Sequence, residues 1–170
     1  AGALAAAPSI SLGQAQRVFR VALVGCGGRG SGAVRDITAA ATRLGHKVQL
    51  VGAADFFQEK AAAVCKANGC DEKFAFSGAN GYKKIMETDA EIVLLASPPI
   101  FRATHAEACV KAGKHIFAEK PGATDPAGLR HFLQVVEAAK AAKLSILSGT
   151  CHRHNTRALR MIGPVRNGII

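Results

Sequence analysis

Aromatic residues are few in this 170-residue sequence, which has no tryptophan, one tyrosine and eight phenylalanines. This scarcity disfavours two kinds of surface: a stacking platform for single-stranded nucleic acid and an aromatic belt at a membrane. The sequence also lacks any run of 18 apolar residues without a charge, so it predicts no membrane-spanning helix.

Acidic residues are outnumbered as well, because 12 Asp and Glu stand against 22 Lys and Arg and the formal net charge is +10. Residues 143–170 carry five Lys and Arg side chains and no acidic one. A basic excess suits nucleic acid, anionic lipid or a phosphate-bearing ligand. Since there is no Lys/Arg-rich block and no helix-turn-helix or zinc-finger pattern, we expect a phosphate-bearing ligand, no nucleic acid and much solvated surface charge.

Cysteine pairs are missing too: the five cysteines are odd in number and form no C-x-x-C motif. We predict buried free thiols. The run Cys151-His152-Arg153-His154 resembles a metal-binding tract, but adjacent side chains cannot all converge on one ion. We therefore predict no metal site.

Short apolar runs alternate with amphipathic segments along the rest of the chain. The runs predict six strands, at Val21–Val24, Val48–Ala54, Lys73–Phe76, Ile92–Ala96, His115–Ala118 and Leu144–Leu147. The segments predict helices over residues 34–44, 59–68, 82–87 and 101–112, one that begins at Asp125-Pro126, and one over 153–162 that Pro164 interrupts. This order predicts an α/β fold with a doubly wound parallel (Rossmann) sheet and a ligand crevice at the carboxyl ends of its strands.

Three segments are expected along the chain. Residues 1–17 form an Ala-rich stretch that is either a signal-peptide remnant or a flexible leader, so the expected location is cytoplasmic, or exported in the first case. Residues 18–150 form the predicted dinucleotide-binding domain. Residues 151–170 are interpreted as the start of a connection to a second domain.

The first predicted strand is followed by a G-x-G-x-x-G motif, Gly25-Cys26-Gly27-Gly28-Arg29-Gly30. In this strand–turn–helix context the motif indicates a dinucleotide pyrophosphate site. Gly25 permits the tight turn, Gly27 lets the backbone approach the phosphates, and Gly30 lets the helix pack closely. Gly28 and Arg29 open the helix, where free N–H groups and the arginine charge favour an anion. The alternative is an ordinary strand–helix turn.

Asp55 ends the second predicted strand, 25 residues beyond Gly30. A carboxylate at this place accepts hydrogen bonds from the adenosine ribose and repels a 2′-phosphate, which favours NAD over NADP. Phe56 or Phe57 would cover the adenine, although either could equally be a core residue. Asp55 could also serve merely as a helix cap.

Two later turns complete the predicted crevice. Ser97-Pro98-Pro99 makes a stiff turn after the fourth strand, suited to walling the cofactor or simply ending the strand, and His105 is interpreted as a packed or capping residue. Glu119-Lys120-Pro121 follows the fifth strand, and its proline can adopt the cis form. A lysine beside a nicotinamide cation would be desolvated and repelled, so Lys120 could hydrogen-bond a substrate hydroxyl or take its proton.

With these residues, three stretches make the chain resemble the N-terminal half of the Gfo/Idh/MocA oxidoreductases: residues 21–34, 91–128 with its A-G-K-H-x-x-x-E-K-P string, and 148–154. The resemblance implies NAD(P)-dependent hydride transfer at a sugar, cyclitol or related hydroxyl. It implies that Lys120 lies near nicotinamide and substrate, Glu119 at the nicotinamide-side ribose, and Arg153 near the substrate cleft. It also implies a second α/β domain that completes the active site and a homo-oligomer, so these residues alone would bind cofactor without turnover.

Other functions remain open on the same fold. Some relatives in this family use tightly held NAD to cleave glycosides, and a non-catalytic NAD-binding module would share the motifs. A methyltransferase is disfavoured by the Glu119-Lys120-Pro121 segment. A short-chain dehydrogenase is disfavoured because Met86, rather than lysine, stands four residues after Tyr82.

Overall fold

The computed structural model describes residues 15–169, which form one six-stranded sheet whose strands are all parallel. The strand order is β3-β2-β1-β4-β5-β6. Successive strands are added on one side of β1 up to β3 and on its other side from β4 onward, so the strand order reverses between β1 and β4. The predicted doubly wound Rossmann fold is confirmed. The strands are β1 Val18–Val24, β2 Lys47–Asp55, β3 Ala75–Ser77, β4 Ile92–Leu95, β5 His115–Ala118 and β6 Ile146–Ser148.

Helices cover both faces of this sheet and enclose two apolar cores. The helices that do so are α1 Gly28–Arg43, α2 Gln58–Ala67, α3 Gly81–Met86, α4 Arg102–Lys111 and α5 Pro126–Ala141; α6 Thr156–Arg166 follows β6 and buries no residue, and 3₁₀ turns lie at Glu72–Phe74, Pro99–Phe101 and Cys151–His154. In β1, Val21 and Leu23 face the core shared with α1 and α2, whereas Ala22 and Val24 face the core shared with α3, α4 and α5. This period of two on a strand buried on both sides explains its unbroken apolar run.

The predicted strand bounds were wrong most clearly at the two edge strands, β3 and β6, and at β1, which begins at Val18 rather than at Val21. Phe74 belongs to a 3₁₀ turn rather than to β3, because the Asp71 side chain accepts a hydrogen bond from Lys73 N (3.0 Å) and starts that turn. Leu144 still closes α5, since its N–H donates to Ala139 O (2.8 Å) after Lys143 adopts a φ of +57°. β6 therefore begins only at Ile146.

The last helix also departs from the prediction. Residues 151–154, including Arg153, form a 3₁₀ turn, and α6 begins after Asn155, whose Oδ1 accepts from Arg157 N (2.9 Å) and Ala158 N (3.2 Å). The helix runs through Pro164 to Arg166. A proline lacks the N–H that would donate to the carbonyl four residues earlier, here that of Arg160, which is an exposed residue.

The cysteine prediction holds at four positions and fails at one. The free thiols at 26, 65, 70 and 109 are buried, and burial raises the pKa of Cys26, Cys65 and Cys109 to about 12. Cys151 is exposed, because the turn that carries it lies on the surface.

Within residues 15–169 no helix is long and apolar enough to cross a membrane. Most of the predicted leader, residues 1–14, lies outside the described residues.

Candidate dinucleotide-binding cleft

A cleft of about 900 Å³ opens at the carboxyl ends of the strands. The turns after β1, β2, β4 and β5 all contribute to its wall, so it lies at the point where the strand order reverses between β1 and β4. Open α/β sheets bind ligands at such a switch point. The predicted site residues that line it are Gly25, Gly27, Arg29, Asp55, Phe56, Ser97, Pro98, Pro99, Glu119 and Lys120.

Gly25 wedges the glycine turn between two strand ends. Its φ is +96°, and its N–H donates to Ala54 O (2.8 Å) at the end of β2. A Cβ on Gly25 would overlap the backbone of Ala96 and Ser97 after β4. Only glycine satisfies both the left-handed conformation and the close approach.

The other glycines of the motif have two different roles: Gly30 is a packing residue, whereas Gly27 and Gly28 border an open space that we call the cradle. A Cβ on Gly30 would overlap the carbonyl oxygen of Gly25, so Gly30 is what lets α1 pack against the turn. A Cβ on Gly27 or Gly28 would meet nothing within 4 Å. Because the first amides of a helix have no intrahelical acceptor, α1 presents N–H donors and a partial positive charge beside this open space. The cradle thus suits a diphosphate.

Asp55 joins the glycine turn to the end of β2. Its Oδ2 accepts from Cys26 N (2.7 Å) and its Oδ1 accepts from Phe57 N (3.1 Å). Each carboxylate oxygen accepts more than one hydrogen bond, so the half-buried side chain keeps acceptor capacity in the cleft. The interpretation of Asp55 as merely a helix cap was wrong, because the N-cap residue of α2 is Phe57 and no side chain caps that helix; the remaining acceptor capacity of Asp55 leaves room for a ribose.

Phe56 and Phe57 are exposed, so the possibility that one of them is a core residue was wrong. Their side chains are 68% and 49% exposed, and the two rings meet edge to face with centroids 5.3 Å apart. The Lys60 Nζ lies 4.6 Å from the centroid of the Phe57 ring. An aromatic surface with one cation thus borders the Asp55 end of the cleft.

His105 forms the wall near the Ser97 turn. Its ring packs against Tyr82 (centroids 4.2 Å apart) and Phe101 (5.8 Å), and its Nδ1 lies 3.0 Å from Ser97 Oγ. Burial, followed by the charge of Arg102, lowers the pKa of His105 to about 4. The imidazole is therefore neutral near pH 7, in keeping with the predicted packed role.

Arg102 is the least expected residue of this wall. It is 1% exposed, its Nη1 donates to Leu95 O, and its Nε has no hydrogen-bond partner among the described residues. Burial lowers the pKa of its guanidinium, and the negative charge of Glu119 opposes that shift.

Glu119 and Lys120 lie at the end of β5 in different environments. Glu119 is 8% exposed, its N–H donates to Leu95 O (2.9 Å), and its Oε1 lies 3.0 Å from Arg29 Nε. The peptide bond between Lys120 and Pro121 is cis. Lys120 is exposed at the mouth of the cleft.

Three predicted site residues lie outside the cleft lining. Gly28 and Gly30 contribute through the backbone of α1, while Arg153 lies exposed in the 3₁₀ turn after β6. Conversely, sequence reasoning missed Lys60, Tyr82 and Arg102. No sequence motif marks these three, because only the packing of α2, α3 and α4 brings them to the wall. Within residues 15–169 no group of three His, Cys, Asp or Glu residues could hold a metal ion.

Comparison with known proteins identifies the same architecture. Residues 19–148 match the model of the GFO_IDH_MocA family, described as an oxidoreductase family with an NAD-binding Rossmann fold. Inositol 2-dehydrogenase 3 from Saccharopolyspora erythraea is 33% identical over 122 residues, which are 72% of this chain and 32% of that protein.

Solved structures agree with this match. The WlbA dehydrogenase from Chromobacterium violaceum, solved with NADH and UDP-GlcNAcA, has a TM-score of 0.70 at 25% identity over 90% of this chain and 41% of its own. The myo-inositol 2-dehydrogenase from Lactobacillus plantarum has a TM-score of 0.73 at 21% identity over 89% and 42%. The chain thus spans less than half the length of each of these relatives.

Proposed function

Because this chain belongs to the GFO_IDH_MocA oxidoreductase family and carries its NAD-binding Rossmann domain, we propose that the cleft binds NAD(H) for hydride transfer at a sugar or cyclitol hydroxyl. The observation that carries the proposal is that Gly27, Asp55 and the Glu119-Lys120 pair line one cleft. These are the groups that a diphosphate, a ribose and a reacting hydroxyl each require.

The cofactor would lie across the switch point. The free amides at the start of α1 would bind its diphosphate, and Asp55 would accept hydrogen bonds from the adenosine ribose. A 2′-phosphate on that ribose would be repelled by the Asp55 carboxylate, which supports NAD over NADP. The exposed rings at 56 and 57 would cover the adenine.

Lys120 would perform the proton transfer at the other end of the cleft. NAD⁺, when bound, supplies the hydride acceptor. The exposed Lys120 side chain can reach a hydroxyl in the mouth of the cleft, where its ammonium form donates a hydrogen bond to the oxygen; its neutral amine form accepts the hydroxyl proton as the hydride leaves the carbon for NAD⁺. The proline-rich turn at 97–99 and Glu119 would border the nicotinamide-side ribose.

The proposal extends to the class of substrate and to the pocket that binds it. Two relatives are named for inositol and one was solved with a UDP-linked sugar acid, so a polyol or sugar is the substrate class that we infer. A second domain facing Lys120 would complete the pocket, with Arg153 near it, and would form the homo-oligomer interface.

The test of this proposal is Lys120→Ala in the enzyme assayed with NAD⁺ and a polyol such as myo-inositol. Loss of the proton acceptor is expected to lower kcat by about 10²–10⁴-fold, with the NADH dissociation constant unchanged within about threefold because Lys120 makes none of the phosphate contacts. Lys111→Ala, an exposed lysine of α4, is the matched control. An unchanged kcat in Lys120→Ala would remove Lys120 from the reaction.

A further inference from the structure

We propose that Arg29 is a positioning residue that holds the Glu119 carboxylate toward the nicotinamide-side ribose, rather than a ligand of the cofactor phosphates. This proposal rests on the function proposed above. Arg29 stands in the first turn of α1, where a basic side chain would ordinarily be assigned to the diphosphate. Its side chain instead leads to the turn after β5.

The guanidinium of Arg29 lies between two carboxylates. Its Nε is 3.0 Å from Glu119 Oε1, and its Nη2 donates to Asp36 Oδ2 at 2.9 Å. Asp36 belongs to the same helix, two turns further on, so it holds the far side of the guanidinium. Nε is the guanidinium atom near Glu119, and the charge of Arg29 is shared by two anions before any ligand arrives.

Glu119 is held from its other sides by backbone. Its N–H donates to Leu95 O (2.9 Å) of β4, and a Cβ on Gly149 would come within 2.9 Å of the Glu119 Cδ. Gly149 is itself fixed, since its N–H donates to Ala118 O (2.8 Å). The absence of a side chain at 149 leaves the space that the carboxylate occupies.

Within residues 15–169 Arg29 forms the ion pair with this carboxylate, and the buried guanidinium of Arg102 also interacts with it through charge. Glu119 is nearly buried, whereas the Arg29 side chain is 54% exposed. A buried carboxylate that loses its counter-ion is costly and tends to rearrange. Arg29 thus ties the glycine turn to the Glu119-Lys120 turn, and it leaves the second carboxylate oxygen to accept a ribose hydroxyl from the cleft.

Truncated ligands separate the two possible roles of Arg29. ADP carries the diphosphate and the adenosine ribose but lacks the nicotinamide-side ribose. If Arg29 contacts the phosphates, its removal should weaken the binding of ADP and of NADH equally. If Arg29 acts through Glu119, its removal should weaken the binding of NADH alone.

The experiment is a double-mutant cycle on this chain, with dissociation constants for NADH and ADP from calorimetry. Arg29→Ala and Glu119→Gln are each expected to weaken NADH binding about tenfold, the scale of one hydrogen bond to a charged group. Both variants are expected to change ADP binding less than about twofold. In the Glu119→Gln background, Arg29→Ala is expected to add less than about twofold for NADH, because coupled residues are not additive.

Two further variants guard against a general loss of structure. Arg35→Ala removes an exposed arginine from the same helix and is expected to leave both affinities unchanged. Arg29→Lys keeps a cation opposite Glu119 and is expected to recover part of the NADH affinity lost in Arg29→Ala. Retained ADP binding shows that each variant has kept its glycine turn.

Equal losses for ADP and NADH in Arg29→Ala, or an undiminished loss in the Glu119→Gln background, would overturn the positioning role and assign Arg29 to the phosphates. Failure of NADH to bind the unaltered chain would instead overturn the proposed function. Unchanged NADH binding in Glu119→Gln alone would overturn the ribose role of Glu119, and the positioning role with it.

Discussion

Single glycines decide how closely α1 approaches the sheet and how much room remains for a ligand. Gly30 faces the carbonyl of Gly25, whereas Gly27 faces open space, although both belong to one motif. The motif therefore combines a packing requirement with a binding requirement, and the two can be separated by adding one methyl group at a time.

Gly30→Ala is expected to destabilise the fold by about 3 kcal/mol or more, because the new methyl group overlaps a buried backbone carbonyl. The free energy of unfolding of Gly27→Ala should lie within about 1 kcal/mol of that of the unaltered chain, because the φ of −71° at this position suits alanine and the added Cβ meets nothing within 4 Å. It should nevertheless weaken NADH binding at least about tenfold by filling the phosphate space. Urea unfolding and calorimetry measure the two effects, and equal stability of both variants would contradict this division.

His105 makes stability depend on pH. Its pKa is about 4 in the folded chain against an ordinary 6.5, so the unfolded chain binds the proton first as pH falls. The contribution of His105 to the free energy of unfolding is fully present above pH 6.5. It is lost as pH falls toward 4, and the loss amounts to at most about 3 kcal/mol. His105→Gln should remove this part of the pH dependence in urea unfolding between pH 7 and 4.5. Identical slopes in both proteins would refute the shift.

Sequence reasoning reached the site residues whose role depends on backbone position, and missed those whose role depends on packing. Gly25, Gly27 and Asp55 follow strands, and the end of a strand is predictable from an apolar run. Arg102 and Lys60 reach the wall through the rotation of α4 and α2. Nothing in the local pattern fixes that rotation.

At the scale of elements, the turn before β4 depends on a buried lysine that lies between α4 and β5. Lys114 is 5% exposed, and its Nζ donates to Thr88 O (2.8 Å) and Ala90 O (2.9 Å). Burial lowers the pKa of its ammonium group. The lysine of the A-G-K-H string thus ties α4 and β5 to the entrance of β4.

Lys114→Met is expected to cost about 2–4 kcal/mol of unfolding free energy, because it leaves one buried carbonyl and one partly buried carbonyl without their donor. Lys111→Met, three residues earlier on the exposed side of α4, loses only a surface ion pair with Glu107 and should cost less than about 1 kcal/mol. Urea unfolding of the two variants gives the comparison. Similar losses would show that Lys114 acts as a surface residue.

The elements themselves were predictable to different degrees. Strands buried on both faces gave clear apolar runs, and Asp125 correctly marked the start of α5 through its bond with Gly128 N (2.8 Å). The edge strands β3 and β6 were misplaced because they have three residues each and adjoin turns that hydrogen bonds define. The predicted interruption of the last helix at Pro164 was wrong, because a proline near the end of an exposed helix costs little free energy of unfolding.

For the whole molecule, the order of the strands brings distant segments to one cleft. The chain turns from β1 toward β2 and β3, then returns through β4 toward β5 and β6. One edge of the sheet therefore carries segments that are spread over the 96 residues from 25 to 120. They are the glycine turn, Asp55, the Ser97 turn and Glu119-Lys120. The α/β alternation predicted this arrangement, whereas the Arg29–Glu119 pair across it could be seen only in the folded chain.

Calorimetric titration of NADH into the folded chain tests the central claim most directly. One molecule should bind per chain, and Asp55→Ala should weaken binding about tenfold or more, since a carboxylate that accepts ribose hydroxyls is lost. Glu137→Ala, an exposed carboxylate of α5, is the control and should change nothing. Absence of binding heat at several temperatures, with the chain shown to be folded by circular dichroism, would contradict the account.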